Sequence, residues 1–360
     1  MTMTRAPRNW IWEVAVAAAI IAAIAAAAAW GRMDDSGSHY NRGWANFERG
    51  RYREAITAFD QALRQEPDAA HIYSIRAGAK RILGQYREAI ADYDQALRLE
   101  PDTAYIYSNR AGAKSGLGQF REAIADYDQA LRLDPDTTYI YNNRAGAKSG
   151  LGQFQEAIAD YDQALRLEPD NVSAYVSRAA AKSQLGQIEE AFADFDRALQ
   201  LDPGYAEIYT RRGEVKFDLG QIEEAFADYD QALRLEPDNA FTYFVQGSAR
   251  SELGQFKEAI FDYDQTLRLQ PYFVSAYVNR AQARIELGQY SRALADYDQA
   301  VRLQPQSAYV YIARSDVRAE LGQHQEALAD LQAALELANE TNDGDLMADI
   351  EQKIQELEQE

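Results

Sequence analysis

Eight prolines, Pro67, Pro101, Pro135, Pro169, Pro203, Pro237, Pro271 and Pro305, each stand 34 residues from the next. Nine glycines, Gly50, Gly84, Gly118, Gly152, Gly186, Gly220, Gly254, Gly288 and Gly322, run in step with them. An unbroken period over roughly 300 residues means one small unit stacked on itself, which presents an extended surface and no single buried pocket. The period overrides the two or three domains that a chain of 360 residues would otherwise suggest. With 47% hydrophobic and 11% aromatic residues, the chain can bury a continuous core.

One unit, Ala70 to Thr103, shows what repeats. Tyr73, Arg76, Ala77 and Lys80 fall at helical spacing, and Gly84 and Gln85 interrupt it. Ala89, Tyr93 and Ala96 define a second helix, which Pro101 ends. The spacing predicts a helix, a tight turn, a helix, and a Pro-Asp turn into the next unit. Proline fits there because it cannot continue a helix interior. Small side chains at Ala77, Ala89 and Ala96 allow the two helices to approach closely, and Tyr93 fills the gap between them.

The pattern resembles the tetratricopeptide repeat family. Ala123, Tyr127, Ala130 and Pro135 match its 34-residue signature, as do Ala157, Tyr161, Ala164 and Pro169, and Ala225, Tyr229, Ala232 and Pro237. Nine units cover residues 36–341; the first is recognisable in Ala55, Phe59, Ala62 and Pro67. The ninth keeps Ala327 and Ala334 but has Leu331 for the aromatic and Asn339 for the proline. The resemblance implies an all-α, right-handed superhelical solenoid of antiparallel helix pairs. Residues 342–360 read as a capping helix, with Leu346, Ile350, Ile354 and Leu357 on one face; such a cap covers the core face that a last repeat would expose.

One departure from the family pattern is systematic. Arg42, Arg76, Arg110, Arg144, Arg178, Arg212, Arg280 and Arg314 occupy a position usually held by leucine, and Lys80, Lys114, Lys148, Lys182 and Lys216 follow four residues on. Sixteen residues after the arginines come Asp92, Asp126, Asp160, Asp194, Asp228, Asp296 and Asp330. Charges at core-facing positions are costly unless paired, so the spacing predicts an Arg–Asp ladder between the two helices of each unit. The ladder is incomplete in repeat 1, where Arg42 faces Ala58, and in repeat 7, where Gln246 faces Asp262.

Residues 10–30 are different in kind. Their only charge is Glu13, their length as a helix is about 31 Å, and Trp10, Trp12 and Trp30 sit at the ends. They read as a transmembrane or signal-anchor helix after a tail over 1–9 and before a linker over 31–35. The rival reading is a cleaved signal peptide, with Arg5 and Arg8 as its charged region and Ala27-Ala28-Ala29 as its cleavage site. The expected location is a single-pass membrane protein with the repeats outside the cytoplasm, the cytoplasmic side being the alternative because Arg5 and Arg8 before the segment are balanced by Arg32, Arg42 and Arg49 after it.

Chemistry is sparse. The three histidines, His39, His71 and His324, are far apart, there is no cysteine, and no nucleophile-elbow motif occurs. Gly112-Ala113-Lys114-Ser115-Gly116 lacks the glycine framework of a phosphate loop and recurs at 146–150 at the end of a repeat helix. No catalytic, cofactor-binding or metal residue is expected, no enzyme activity, and no small-molecule substrate. A net charge of -20 argues against nucleic acid, since phosphate binding needs a basic surface.

The family resemblance implies that a concave groove is lined by the first helix of each unit, at its second, fifth, ninth, twelfth and thirteenth positions. In repeats 3 and 4 these are Tyr105, Ser108, Gly112, Ser115 and Gly116, then Tyr139, Asn142, Gly146, Ser149 and Gly150. That floor is small and polar, and it repeats almost unchanged. From repeat 6 onward the groove carries Glu207, Glu214, Asp218, Glu252, Glu286, Asp316 and Glu320, interleaved with Phe217, Phe241, Phe244 and Tyr309. Acids with aromatic anchors favour a basic peptide partner. The expected function is a membrane-tethered interaction scaffold whose groove binds peptide segments or assembles a complex; the alternative is a structural spacer or self-assembling solenoid without a defined ligand.

Overall fold

The computed structural model describes residues 39–341 and 343–358. Among the described residues there are nineteen helices and no strand. Nine antiparallel pairs follow one another: α1 (His39–Glu48) with α2 (Tyr52–Gln65), α3 (Ala70–Ile82) with α4 (Tyr86–Leu99), and α5 (Ala104–Gly116) with α6 (Phe120–Leu133). Next are α7 (Thr138–Gly150) with α8 (Phe154–Leu167), α9 (Val172–Gln184) with α10 (Ile188–Leu201), and α11 (Ala206–Asp218) with α12 (Ile222–Leu235). Then come α13 (Ala240–Glu252) with α14 (Phe256–Leu269), α15 (Val274–Glu286) with α16 (Tyr290–Leu303), and α17 (Ala308–Glu320) with α18 (His324–Thr341). The last helix, α19 (Gly344–Glu358), is the expected cap. Its Ile350 is fully buried, with Leu346, Ile354 and Leu357 packed on the same cluster.

The two punctuation series act where the period places them. Gly84 adopts φ +74°, a left-handed conformation that residues with a Cβ rarely take, just after α3. The following Gln85 N–H donates to the Lys80 carbonyl at 2.9 Å, so the free carbonyls of the helix end are satisfied as the chain turns. Proline stops each second helix after 14 residues in repeats 2 to 8, whereas α18, with Asn339 at that place, runs for 18. Within each pair the small residues form the contact: Ala77, Ala89 and Ala96 are fully buried, and Tyr93 fills the space beside them.

The described residues fall into two compact units, one ending at Pro203 and the other beginning at Gly204. The first holds repeats 1 to 5 and the second repeats 6 to 9 with the cap. In both, first helices of successive repeats, such as α5 with α7 and α11 with α13, touch directly.

The expected single-pass membrane location is corrected. Among the described residues no helix is long and apolar enough to cross a membrane. Even the longest, α18, spans only about 27 Å and carries Glu326, Asp330, Glu336 and Glu340. The anchor expected over 10–30 lies outside the described residues, as do the tail over 1–9 and the linker over 31–35.

Candidate functional site

The ladder sets the frame on which any binding face is built. Arg76 on α3 grips Asp92 on α4 with two bonds, Nε to Oδ2 at 2.8 Å and Nη2 to Oδ1 at 2.6 Å. Lys80 Nζ donates to the same carboxylate at 2.7 Å. The third guanidinium nitrogen, Nη1, reaches back to Asp60 of the preceding repeat at 2.5 Å. Arg110, Arg144 and Arg178 repeat the arrangement with Asp126 and Asp94, Asp160 and Asp128, and Asp194 and Asp162. In the second unit Arg212 grips Asp228, while Arg280 and Arg314 bridge Asp296 and Asp264, and Asp330 and Asp298. Burial works against the Arg76 charge, but the bonds and charges of its two aspartates outweigh it and hold its pKa above the usual arginine value. Each of these arginines also lies over a tyrosine ring three residues earlier, Tyr73 for Arg76 at 5.4 Å.

The predicted pairing is therefore present, and it does more than expected. In Asp92-Tyr93-Asp94 the first carboxylate is buried and serves its own repeat, while the second is more exposed and serves the next. Arg76, Arg110, Arg144, Arg178, Arg280 and Arg314 thus each tie two helices of one repeat and join that repeat to its predecessor. The two expected gaps are real. Arg42 meets His39 and Gln61 in place of an aspartate. In repeat 7, Gln246 donates only to Asp230, at 3.2 Å, and leaves Asp262 to Arg250.

On the first-helix face of repeats 3 and 4, the expected anchors are already engaged. Tyr105 packs on the core cluster around Tyr93 and Tyr139 on that around Tyr127, so each ring is held against the preceding repeat. Burial pushes the Tyr105 phenol up to about 12. Gly116 and Gly150 are not open floor: a Cβ there would stand 2.6 Å from the Tyr86 ring and 2.8 Å from that of Phe120. Gly146 does face open space. Asn142 Oδ1 and Ser149 Oγ are buried without a hydrogen-bond partner.

The second unit is built differently. Arg211 on α11, which the sequence reading passed over, stands between Glu207 at 3.6 Å and Glu214 at 3.1 Å and lies 4.6 Å from the Phe241 ring centre. Its position was readable, because acids four residues before and three residues after it share its helix face. Burial raises the Glu214 pKa above the usual carboxylate range, and Arg211 opposes that rise. Phe217 packs on the cluster around Tyr229, and Phe244 lies 4.8 Å from Phe273. Asp316 pairs with Lys353 of the cap at 2.8 Å. Four acids remain exposed: Asp218, Glu252, Glu286 and Glu320. None has a cation within ion-pair distance among the described residues. Tyr309 is 68% exposed at the edge of repeat 9. The acids converge electrostatically, since burial first, then Glu214, Asp218 and Glu252, all hold the Tyr229 phenol above its ordinary pKa.

Models of the tetratricopeptide repeat match residues 40–104 and 278–340, 206–239 and 242–273, and a TPR repeat model matches 116–148, 150–186 and 181–220. Together they span most of the nine units. The chain belongs to the tetratricopeptide repeat family. Tetratricopeptide solenoids generally mediate protein–protein interaction or scaffolding. Similar solved structures include yeast Tom70, at 15% identity and TM-score 0.50 over 89% of this chain and 95% of that one. The human IFIT1 dimer with m7Gppp-AAAA is similar at 16% identity and TM-score 0.55, over 83% of this chain and 76% of that one. The Cut9–Hcn1 hetero-tetramer of the APC/C is similar at 16% identity and TM-score 0.50, over 82% and 59%. At these identities the likeness concerns the fold alone. No curated protein sequence matches the chain significantly.

Proposed function

We propose that this tetratricopeptide protein is an interaction scaffold whose second unit holds basic peptide segments along its first helices. The observation that carries the reading is the contrast between two sets of acids. Each buried ladder aspartate of the second unit, Asp228, Asp262, Asp296 and Asp330, has a cationic partner, whereas Asp218, Glu252, Glu286 and Glu320 stand exposed on the first helices with none among the described residues. Acids left unpaired on the first helices, three of which also carry Tyr309, Phe241 and Arg211, favour Lys- or Arg-rich chain through complementary potential, and they repel a phosphate backbone. The first unit serves as the spacer that carries this face, because its tyrosines are engaged in core packing.

The test is binding of fluorescent Lys/Arg-rich and Asp/Glu-rich peptides to the full chain and to Glu252→Lys/Glu286→Lys. The basic peptide should bind the parent, lose at least about tenfold in affinity to the variant, and weaken with salt. Equal binding of both peptides, or no loss in the variant, contradicts the reading.

A further inference from the structure

Repeat 7 is the one place in the second unit where the ladder lacks its arginine. Asp262 occupies the position of Asp228 and Asp296 but is only 1% exposed and receives a single cationic bond, Arg250 Nη1 to Oδ2 at 2.6 Å. Its other oxygen, Oδ1, is buried and has no hydrogen-bond partner. In the neighbouring repeats that oxygen is held by Nη2 of Arg212 or of Arg280. Gln246 cannot take that part, because its amide nitrogen is turned to Asp230. The remaining charges around Asp262 do not compensate. Asp230 on α12 and Glu258 on its own helix are both acids, and the cations of the next first helix, Arg280 and Arg284, are engaged by Asp264 and Asp296.

We propose that Gln246 and Asp262 make repeat 7 a proton-linked joint, in which a proton taken up by Asp262 firms the packing of α13 against α14. A buried carboxylate oxygen without a donor is costly to leave charged, and protonation removes that charge and supplies a donor hydrogen. The physical signs agree: burial, reinforced by Asp230 and Glu258 and only partly opposed by Arg250, pushes the Asp262 carboxyl up to about 6 from the ordinary 3.8. A folded-state value above the unfolded one means that stability is fully present below the unfolded value and is lost as pH rises through the folded value. Acidification from pH 7.5 to 5.0 should therefore close this joint by about tenfold in its opening equilibrium. The first of these helices, α13, carries Phe241, Phe244 and Glu252, so the proton acts beneath the second unit's first-helix face. The inference does not depend on what that face binds.

The test uses the full chain, with opening constants of α13 and α14 taken from hydrogen exchange corrected for intrinsic pH dependence. In the parent these constants should fall about tenfold between pH 7.5 and 5.0, relative to α16 and α18 as internal references. Gln246→Arg restores a guanidinium between Asp230 and Asp262 and should flatten that dependence while closing the joint at pH 7.5. Asp262→Asn, with nothing left to titrate, should flatten it as well and serves if the arginine variant folds poorly. The same pH dependence in parent and variants, or a carbon-13 titration placing the Asp262 carboxyl near 4, overturns the proposal.

Discussion

Replacing Arg144 by glutamine imposes on repeat 4 the situation that repeat 7 has by nature. Arg144 gives Asp160 two bonds, at 2.6 and 2.8 Å, and Asp128 a third at 2.6 Å. The Asp160 side chain is 7% exposed, so its carboxylate cannot recover water, and Lys148 at 2.8 Å would be its only remaining cation. Removing one partner of a buried ion pair typically costs about 3–5 kcal/mol, most of it the penalty of the stranded charge. The Lys148 contact and the exposure of Asp128 place the expected loss toward the lower end, about 3 kcal/mol. A global unfolding midpoint is a poor readout, because repeat arrays open locally. Hydrogen exchange resolved by helix is suited to the question: α7 and α8 should lose protection strongly, α6 partly through Asp128, and α3 hardly at all. The companion variant Arg144→Leu/Lys148→Leu/Asp160→Leu replaces the whole buried triad with apolar side chains and should recover most of the loss. A loss below about 1 kcal/mol in the single variant, or no recovery in the triple, would refute the claim that the ladder matters because its charges are buried and paired.

Two further expectations follow from particular side chains. Gly146→Ala places its Cβ in open space within a helix and should stabilise α7 by up to about 1 kcal/mol, whereas Gly213→Ala, whose Cβ would stand 2.6 Å from the Tyr229 ring and 3.1 Å from the Ala225 carbonyl oxygen, should cost roughly 1–3 kcal/mol in thermal unfolding. Burial holds the phenols of Tyr105 and Tyr297 up to about 12, so their stability contribution is present below pH 10 and lost as pH rises toward 12. Ultraviolet titration alongside circular dichroism should show these tyrosines ionising only as helix content falls, and early ionisation in an intact fold would count against their burial.

The period made contacts within a repeat legible, because residues sixteen apart on an antiparallel pair meet whatever the stacking angle. That reasoning found the Arg76–Asp92 pair and the gaps at Arg42 and Gln246. It did not find the bond from Arg76 back to Asp60, although Asp60 also stands sixteen residues away, on the other side. Contacts between repeats depend on how one pair leans on the next, and helix spacing alone does not give that angle. The same lean fills the place beside Gly116 with Tyr86 and turns Tyr105 from a free anchor into part of the core packing around Tyr93. At the candidate site the acids were legible as letters, but Arg211 decides which of them are free, and it removes Glu207 and Glu214 from that set.

The claim that the second unit is a peptide-binding face is tested most directly by a hydrogen-exchange footprint of the full chain with a saturating Lys/Arg-rich peptide. The account predicts added protection on α11, α13, α15 and α17, the helices that carry Asp218, Glu252, Glu286 and Glu320, and its loss in Glu252→Lys/Glu286→Lys. Protection confined to the second helices α12, α14 and α16, or to the first unit, would contradict it.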